Sequence, residues 1–418
     1  MAAEQKHHVT IIGAGIVGIC CGLFLKRDGH QVTIIDPKPP GSATSFGNAG
    51  VIATGANMPW SHPGLWKKLP WMLLSSMSPT VLPGRHLHRS LPWVARFLAA
   101  GRLSRVKELS DDIAPLSAQA GTAHKGLIRE HGVDSELVTP SGFLYVFENK
   151  SGLDDLSLEL ELAKRHDVPY EVLNADEVYQ LEPGLARRFH SGLFYPDRDL
   201  VRQPILLTQA YADAFLSLGG ELRCETVHRI EAGPDGPRKI VTDLGIYDVD
   251  RLVLAAGAWS RELLRSIGPD VPLETERGYH INLEWGEGIT LNRPVAVADK
   301  HYVMVPMRDG IRITSGDELG GLSLPPDFRR IRRIVKEART NLSGLDTEVT
   351  REWMGYRPSI PDSKPVIGRS PDFSRVFYAF GHGHYGLTLS AVTGRLISDL
   401  VAGRDVDIPI EPFRIDRF

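Results

Sequence analysis

The sequence predicts an α/β fold in which a nucleotide-binding domain with a parallel sheet is interleaved with an α+β domain built on an antiparallel sheet. Three observations predict this fold. A glycine-rich loop stands between a buried strand and a helix near the N-terminus. A second strand, glycine loop and helix occur near the C-terminus. Between them, residues 271–344 alternate apolar and polar positions, which is typical of antiparallel strands.

The length of the chain favours two domains. With 418 residues, it is longer than one hydrophobic core usually organises, and its 42% hydrophobic and 24% charged residues are those of an ordinary globular protein. The chain is expected to leave the nucleotide-binding domain and return to it twice. Residues 1–60, 195–270 and 345–418 would form that domain, and residues 61–194 and 271–344 the other one.

Charge and cysteine content exclude several classes of protein. The net charge of −3 gives no general reason to expect a nucleic-acid partner. Cys20 and Cys21 are adjacent and Cys224 stands alone, so we expect no disulfide framework and a reducing, cytoplasmic compartment. The histidines show neither an H-x-x-x-H helix nor an acidic–histidine cluster, so no metal is predicted. No secretory signal and no membrane-spanning stretch are recognised.

The N-terminal segment reads as a strand, a helix and a second strand. Val9–Ile12 is a buried-strand pattern, Ile16–Arg27 has helical spacing, and His30–Asp36 is the next strand. Such βαβ units have parallel strands that are covered by crossover helices. A second α/β passage is a helix at 204–218 that ends at a glycine pair. Short strands follow it at 221–224, 227–231, 239–243 and 252–255.

The glycine loop has the spacing of a dinucleotide fingerprint. Gly13 permits a tight turn, Gly15 lets the backbone approach a pyrophosphate, and Gly18 permits close packing of helix on strand. The helix N-terminus offers unpaired N–H groups and a positive dipole to phosphates. Asp36 ends the next strand and can accept both ribose hydroxyls. These residues predict a Rossmann-like site for a dinucleotide.

The fingerprint alone does not separate FAD from NAD, so the rest of the chain decides. A second small-residue loop occupies 41–50, a strand at 252–260 ends in small residues, and a glycine loop with a helix follows 376–380. A helix N-terminus there could stabilise negative charge on a reduced flavin. This favours FAD over NAD. The candidate cofactor-binding residues outside the fingerprint are Ser45, Asn48, Ala49, Gly50, Val227, Gly257, Gly381, Gly383, Gly386, Leu387 and Thr388.

At these motifs the chain resembles the D-amino-acid oxidase superfamily of FAD enzymes, and most of all bacterial D-amino-acid dehydrogenases. The shared segments are the fingerprint, the Ser-x-x-Asn-Ala-Gly loop at 45–50, Arg-Gly-Tyr at 277–279, Gly-Tyr-Arg-Pro at 355–358 and the closing glycine run at 381–383. The pattern departs at Tyr356 and at His384–Tyr385. The resemblance implies a glutathione-reductase-like FAD domain. It also implies hydride transfer from the substrate Cα to flavin N5, which gives an imino acid that water hydrolyses.

The resemblance also implies the residues of the substrate site. Arg357 matches the arginine that binds the substrate carboxylate, for which a planar guanidinium is suited. Tyr279 is a candidate lid or carboxylate partner. His384 and Tyr385 precede the helix that faces the flavin and are candidates to contact substrate or ring. Some relatives tether FAD through a cysteine in the C-terminal half, but this chain has no cysteine after Cys224, so non-covalent FAD is expected.

The substrate itself stays open at this point. D-amino acids are the first choice; glycine, sarcosine or proline-like secondary amines such as 4-hydroxy-D-proline are alternatives. A non-catalytic flavin-binding subunit is an alternative of another class. The oligomeric state also stays open.

One segment has an unusual charge distribution. Residues 37–107 contain no Asp or Glu, nine Lys or Arg, and four of the seven tryptophans. In 89–105, Leu91, Val94, Leu98 and Leu103 could share a helical face while the arginines stay in water, and 67–74 has similar character. Such a helix fits an anionic lipid surface. The resemblance implies electron transfer to a respiratory-chain, quinone-type acceptor, which favours peripheral contact with the inner face of the cytoplasmic membrane.

Overall fold

The computed structural model describes residues 6–63, 65, 80–234 and 236–418. A six-stranded sheet in this part of the chain forms the nucleotide-binding unit, and all neighbouring strands are parallel except the last pair. Its spatial order is β10 (Glu221–Cys224), β2 (Gln31–Asp36), β1 (His8–Ile12), β14 (Arg251–Leu254), β21 (Val376–Phe380) and β20 (Val366–Arg369). The predicted α/β class and the predicted βαβ unit are confirmed.

Helices cover this sheet because its strands are apolar on both faces. Val9, Ile11 and Ile34 are fully buried and belong to the largest core cluster. Removing such side chains from water contributes roughly 1.5–3 kcal/mol each. The helices that supply the other side of this core are α1 (Ile16–Arg27), α7 (Pro204–Ser217) and α10 (Gly386–Ala402).

The second unit is built on a nine-stranded sheet of the described residues, which is mainly antiparallel, as the alternating pattern predicts. Its spatial order is β19 (Val349–Ser359), β15 (Glu274–Leu283), β18 (Gly310–Leu319), β17 (Tyr302–Met307), β16 (Val295–Val297), β6 (Phe143–Phe147), β8 (Ser191–Tyr195) and β7 (Glu171–Asn174), with β4 (Thr80–Val81) beside the end of β18.

Two small antiparallel sheets complete the strands of the described ranges. One contains β11 (Val227–Gly233), β12 (Gly236–Thr242) and β13 (Ile246–Asp248); the other contains β3 (Val51–Ile52), β9 (Asp199–Val201) and β5 (Val138–Thr139). The remaining helices are α2 (Gly84–Ala100), α3 (Leu103–Ala118), α4 (Ala120–Glu130), α5 (Ser157–Arg165), α6 (Ala175–Leu181), α8 (Ser260–Leu264) and α9 (Arg329–Asn341).

The division of the chain between the two units stays a proposal, and two elements bear on its boundaries. Strand β19 lies within the proposed 345–418 portion of the nucleotide-binding unit, yet it pairs with β15 in the nine-stranded sheet. Helix α4 lies in the proposed 61–194 portion of the other unit, yet its Ala120 and Leu127 join the core beside the six-stranded sheet.

Helix α2 is amphipathic, and the predicted apolar face is divided, because Val94 and Leu98 pack against the protein and Leu91 does not. Trp93 and Val94 are buried and pack against Leu319, and the indole N–H of Trp93 donates to the carbonyl of Ser359 at 3.2 Å. Leu91 and Leu103 are 53% and 51% exposed and do not lie on the buried face. Residues 67–74 lie outside the described residues. No helix in the described ranges combines the length and apolar character that crossing a bilayer requires.

Candidate active site

A cavity of about 1600 Å³ runs from the N-terminal glycine loop to the nine-stranded sheet. It brings together most of the residues predicted from the sequence. The predicted residues that line it are Gly13, Gly15, Asp36, Ser45, Asn48, Ala49, Val227, Gly257, Gly383, Gly386, Leu387, Thr388, Arg357, His384 and Tyr385. The predicted residues outside its lining are Gly18, Gly50, Gly381 and Tyr279.

The fingerprint glycines allow close approaches of the backbone. Gly13 has φ +112°, and a Cβ placed on it would lie 2.4 Å from the carbonyl oxygen of Ala255. A Cβ on Gly18 would lie 1.9 Å from the carbonyl oxygen of Gly13, so this glycine allows the helix to pack on the loop. The N-terminus of α1 therefore opens towards the cavity, as the binding of a pyrophosphate requires.

Asp36 lies at the end of β2 and lines the cavity. Its carboxylate accepts hydrogen bonds from the backbone N–H groups of Ala14 and Lys38, both at 2.8 Å. Burial raises the pKa of Asp36, and these two donors oppose that rise. Because each carboxylate oxygen has two acceptor sites, both ribose hydroxyls can still be bound. The residues present thus fit the adenosine half of a dinucleotide.

The loop at 44–50 is held from several sides. Ser45 Oγ accepts from the N–H of Ile16 at 3.1 Å, and Arg312 donates to the carbonyl of Asn48 at 2.5 Å. The ring of Trp353 lies so close to Gly47 that a Cβ there would be 2.0 Å from it. Gly50 has φ +68°, and a Cβ placed on it would lie 2.3 Å from the carbonyl oxygen of Val201. Because these contacts already fix the loop, it can hold a planar ring without a further loss of conformational entropy.

The C-terminal glycine run leads into α10, whose first residues also line the cavity. Gly383 has φ +50°, and Gly381, at φ +80°, packs against Ile360. Thr388 Oγ1 accepts from the N–H of Ala53 at 3.1 Å and thereby joins α10 to the segment after β3. The unpaired N–H groups of this helix can stabilise negative charge in the cavity.

On the substrate side, Arg357 projects from β19 into the cavity. Its Nη1 donates to Oδ1 of Asp317 at 2.6 Å and to the carbonyl of Gly316 at 3.0 Å. The guanidinium lies over Gly278, where a Cβ would be 2.3 Å from Nη2. The position of the guanidinium therefore depends on a glycine in the neighbouring strand β15.

His384 joins the same group of charges. Its Nε2 lies 3.0 Å from Oδ1 of Asp317, its Nδ1 lies 3.7 Å from Glu276, and its ring stacks on Trp60 with centroids 3.7 Å apart. Burial opposes ionisation of Asp317, but Arg357 and His384 outweigh it and hold the pKa of that carboxyl well below its usual value. Burial and the charge of Asp317 raise the pKa of Glu276.

Glu276, Asp317 and His384 could each offer one ligand atom to a metal, because these atoms lie within 4.8 Å of one another. However, the oxygen of Asp317 that faces this group already accepts from Arg357. A fixed guanidinium at that distance repels a cation, so we interpret the trio as an ion-pair cluster. The absence of a metal stays a prediction.

The two tyrosines occupy different environments. Tyr385 lines the cavity, lies 6.2 Å from Trp60 between ring centroids, and donates to the carbonyl of Met58 at 3.4 Å. Tyr279 points to the other face of β15, where it donates to Glu318 and packs edge-on against Phe328. Alternation along the strand places Glu276 and Gly278 on the cavity side and Tyr279 away from it, so this geometry does not bring Tyr279 together with Arg357.

The structure also places residues at the site that the sequence did not indicate. Trp60, Glu276 and Asp317 line or adjoin the cavity beside the predicted His384. They come from three segments that are distant in sequence, and none is part of a motif. The pairing of β15 with β18 brings Glu276 and Asp317 to the same region, and Trp60 joins them by stacking on His384.

Comparisons with known proteins identify similar sequences and a similar fold. The family described as FAD dependent oxidoreductase (DAO) matches residues 8–400. A D-amino-acid oxidase of Bradyrhizobium diazoefficiens is 34% identical over 421 residues, covering 99% of this chain and 99% of that protein. A D-amino acid dehydrogenase of the same organism is 29% identical, with 98% of each chain covered. Glycine oxidase from Geobacillus kaustophilus superposes with a TM-score of 0.79 at 21% identity, covering 99% of this chain and 100% of that one, which shows a shared fold.

Proposed function

The chain belongs to the DAO family of FAD-dependent oxidoreductases, and from this premise we propose that it oxidises D-amino acids to imino acids, which water hydrolyses to 2-oxo acids. The sequence motifs and the resemblance that they carry predict the family, the FAD dependence and the enzymatic nature of the chain, and all three are confirmed. The D-amino acid and the electron acceptor are the proposed part.

One observation carries the proposal. Arg357, the residue expected to bind the substrate carboxylate, lines the same cavity as the glycine loops expected to hold the cofactor. Its Nη1 is held by Asp317, whereas Nε and Nη2 make no hydrogen bond to the residues described. This second edge of the guanidinium can accept a carboxylate in bidentate fashion. A substrate held there has its Cα inside the cavity.

The side chains around the cavity perform binding and positioning. Arg357 binds the carboxylate, and Asp317 fixes the guanidinium and keeps it from rotating. Trp60 and Tyr385 form an aromatic wall on one side of the cavity. When FAD is bound, it supplies the acceptor for the hydride that leaves Cα. The positive end of α10 then faces the site where negative charge develops.

The second part of the proposal is the acceptor to which the electrons pass. We propose a quinone-type acceptor of the respiratory chain, in keeping with the relatives named D-amino acid dehydrogenase. Helix α2 supports contact with an anionic membrane surface, because Leu91 is exposed between the exposed Arg89 and Arg96. This contact would place the enzyme at the inner face of the cytoplasmic membrane.

The experiment is anaerobic flavin reduction by the purified holoenzyme. We expect D-alanine and other D-amino acids to bleach the oxidised flavin band, and their L-enantiomers to leave it unchanged. If only glycine, sarcosine or 4-hydroxy-D-proline reduces the flavin, those amines are the substrates and D-amino acids are not. If no amine of the panel bleaches the flavin, the chain is a flavin-binding subunit and the proposal fails.

A further inference from the structure

A second arginine, Arg198, lines the cavity in the turn between β8 and β9. Only 7% of its surface is exposed. Its guanidinium carbon lies 3.8 Å from the ring centroid of Tyr195 and 5.4 Å from that of Phe143. The two rings hold the cation by cation–π attraction and leave its planar edge in the cavity wall.

Arg198 forms no salt bridge with a described residue. Burial lowers the pKa of its guanidinium, but the surrounding groups, including the carboxylate of Glu159, outweigh this effect and raise that pKa. Its Nε has no hydrogen-bond partner in the part of the chain that the structure describes. The adjacent Asp199 faces Lys125 at 3.2 Å, and the nearby Glu159 accepts from the hydroxyl of Tyr195 at 2.8 Å. The unpartnered Nε of this buried guanidinium is therefore a candidate contact for an anionic ligand.

The two arginines of the cavity therefore differ in kind. Arg357 is charge-compensated by Asp317 at 2.6 Å, whereas Arg198 forms no ion pair with a described residue. Tyr385 lines the same cavity and neighbours Trp60, which stacks on His384. Both cations thus face one cavity.

We propose that Arg198 binds a second carboxylate on the substrate, so that the preferred substrates are amino acids with an acidic side chain. Arg357 holds the α-carboxylate and Arg198 holds the side-chain carboxylate. This assignment rests on the proposed function for the role of Arg357. The recognition of a dicarboxylate by Arg198 can be measured without any turnover.

The test is titration of the oxidised holoenzyme with acids that have no amine and cannot be oxidised. Succinate and glutarate are compared with butyrate and valerate, which have the same chain lengths, and binding is read from the flavin difference spectrum. We expect the dicarboxylates to bind roughly tenfold or more tightly, as one additional charge-assisted pair provides. Arg198→Met should abolish this advantage and leave monocarboxylate binding unchanged. The control Arg329→Met removes an equal charge at a side chain that is 80% exposed, and it should retain the advantage.

Three results would overturn the assignment. Equal affinity of mono- and dicarboxylates for the unaltered protein would exclude a second anion site. Equal loss of both classes in Arg198→Met would assign Arg198 to the α-carboxylate, and loss of the flavin would assign it to the cofactor. Because none of these measurements requires oxidation of a D-amino acid, failure of the proposed reaction and failure of this inference are distinguishable.

Discussion

Nη1 of Arg357 lies 2.6 Å from Oδ1 of Asp317, and Nε2 of His384 lies 3.0 Å from the same oxygen. One carboxylate thus orients two cavity side chains that come from β19 and from the turn before α10. Because its negative charge faces the arginine, Asp317 also reduces the net positive charge that a substrate carboxylate meets. Asp317 therefore weakens the attraction of Arg357 for the substrate carboxylate and at the same time fixes the position of the guanidinium.

The first prediction concerns Arg357. Arg357→Ala should retain FAD, because the hydrogen bonds of its side chain go to Asp317 and Gly316 in β18 and to no described residue of the glycine loops. The variant should lower kcat/KM by roughly 3–5 kcal/mol if the carboxylate pair is buried. Steady-state kinetics with D-alanine, together with the flavin content, measure both effects.

Arg357→Lys separates charge from geometry. Lysine carries the charge but does not offer the planar fork, so little rescue is expected. Near-normal turnover of the alanine variant would remove Arg357 from the substrate site. Full turnover by the lysine variant would show that Arg357 acts in the substrate site only through its charge.

The second prediction concerns the pH dependence of stability. The folded protein holds the pKa of Asp317 below its unfolded value, so its contribution to stability is present above about pH 4 and is lost as pH falls towards the folded pKa. Asp317→Asn should lower the Tm of the holoenzyme at pH 7, and the difference between the two Tm curves should shrink as pH falls from about 4 and vanish below about pH 2.

Asp346→Asn provides the control, since Asp346 has a side chain that is 94% exposed. Its Tm should follow that of the unaltered protein at every pH. A Tm difference for Asp317→Asn that stays constant from neutral to acid pH would show that the charge of Asp317 contributes no stability.

Much of the cofactor side could be predicted because its signals are local. Gly13, Gly18 and Asp36 stand in one short stretch whose strand–loop–helix order dictates their geometry, and the structure places them as expected. The substrate side depends on contacts between distant segments. Asp317 and Arg198 belong to no motif, and only strand pairing and burial bring them to the cavity.

The hydrophobic periodicity of the sequence also does not predict which face of a helix or strand is buried where tertiary packing decides this. The spacing of Leu91, Val94, Leu98 and Leu103 predicts one apolar face, but the indole of Trp93 has a larger apolar surface and a carbonyl partner at Ser359. The helix therefore turns Trp93 inwards and leaves Leu91 outside. In β15, a similar choice places Tyr279 on the face opposite the cavity.

The third prediction is that FAD is bound without a covalent link and is released intact on denaturation. No cysteine follows Cys224, Cys20 and Cys21 are fully buried, and the exposed Cys224 is not among the residues that line the cavity. Acid precipitation should leave the flavin in the supernatant, as absorbance measures directly. Flavin that stays with the precipitate would contradict this.

Asp36→Ala should weaken FAD retention, because the ribose hydroxyls lose their acceptor and two backbone N–H groups lose theirs. Flavin content after gel filtration, compared with that of the exposed-site control Asp346→Ala, measures the effect. Unchanged FAD affinity would place Asp36 outside the cofactor site.

The last prediction concerns the outer face of α2 and the start of α3. Leu91 and Leu103 are exposed beside Arg89, Arg96 and Arg102, so this surface presents apolar and basic groups together. Such a surface should bind anionic vesicles at low salt, because each cation near the lipid contributes about 1 kcal/mol and is screened by salt. Neutral vesicles should not bind, and high salt should release the protein. The measurement is co-sedimentation.

Leu91→Asp with Leu103→Asp should weaken this sedimentation strongly, since each change removes an apolar contact and adds a charge that the lipid repels. Leu244→Asp is the matched control, because Leu244 is 73% exposed in a turn of the small β11–β13 sheet. Its variant should sediment like the unaltered protein, and both variants should keep flavin reduction by D-amino acids. If the unaltered protein stays in the supernatant with anionic vesicles at low salt, the membrane contact is excluded. The exposed leucines of α2 and α3 would then be ordinary surface residues, and the electrons would pass to an acceptor in solution.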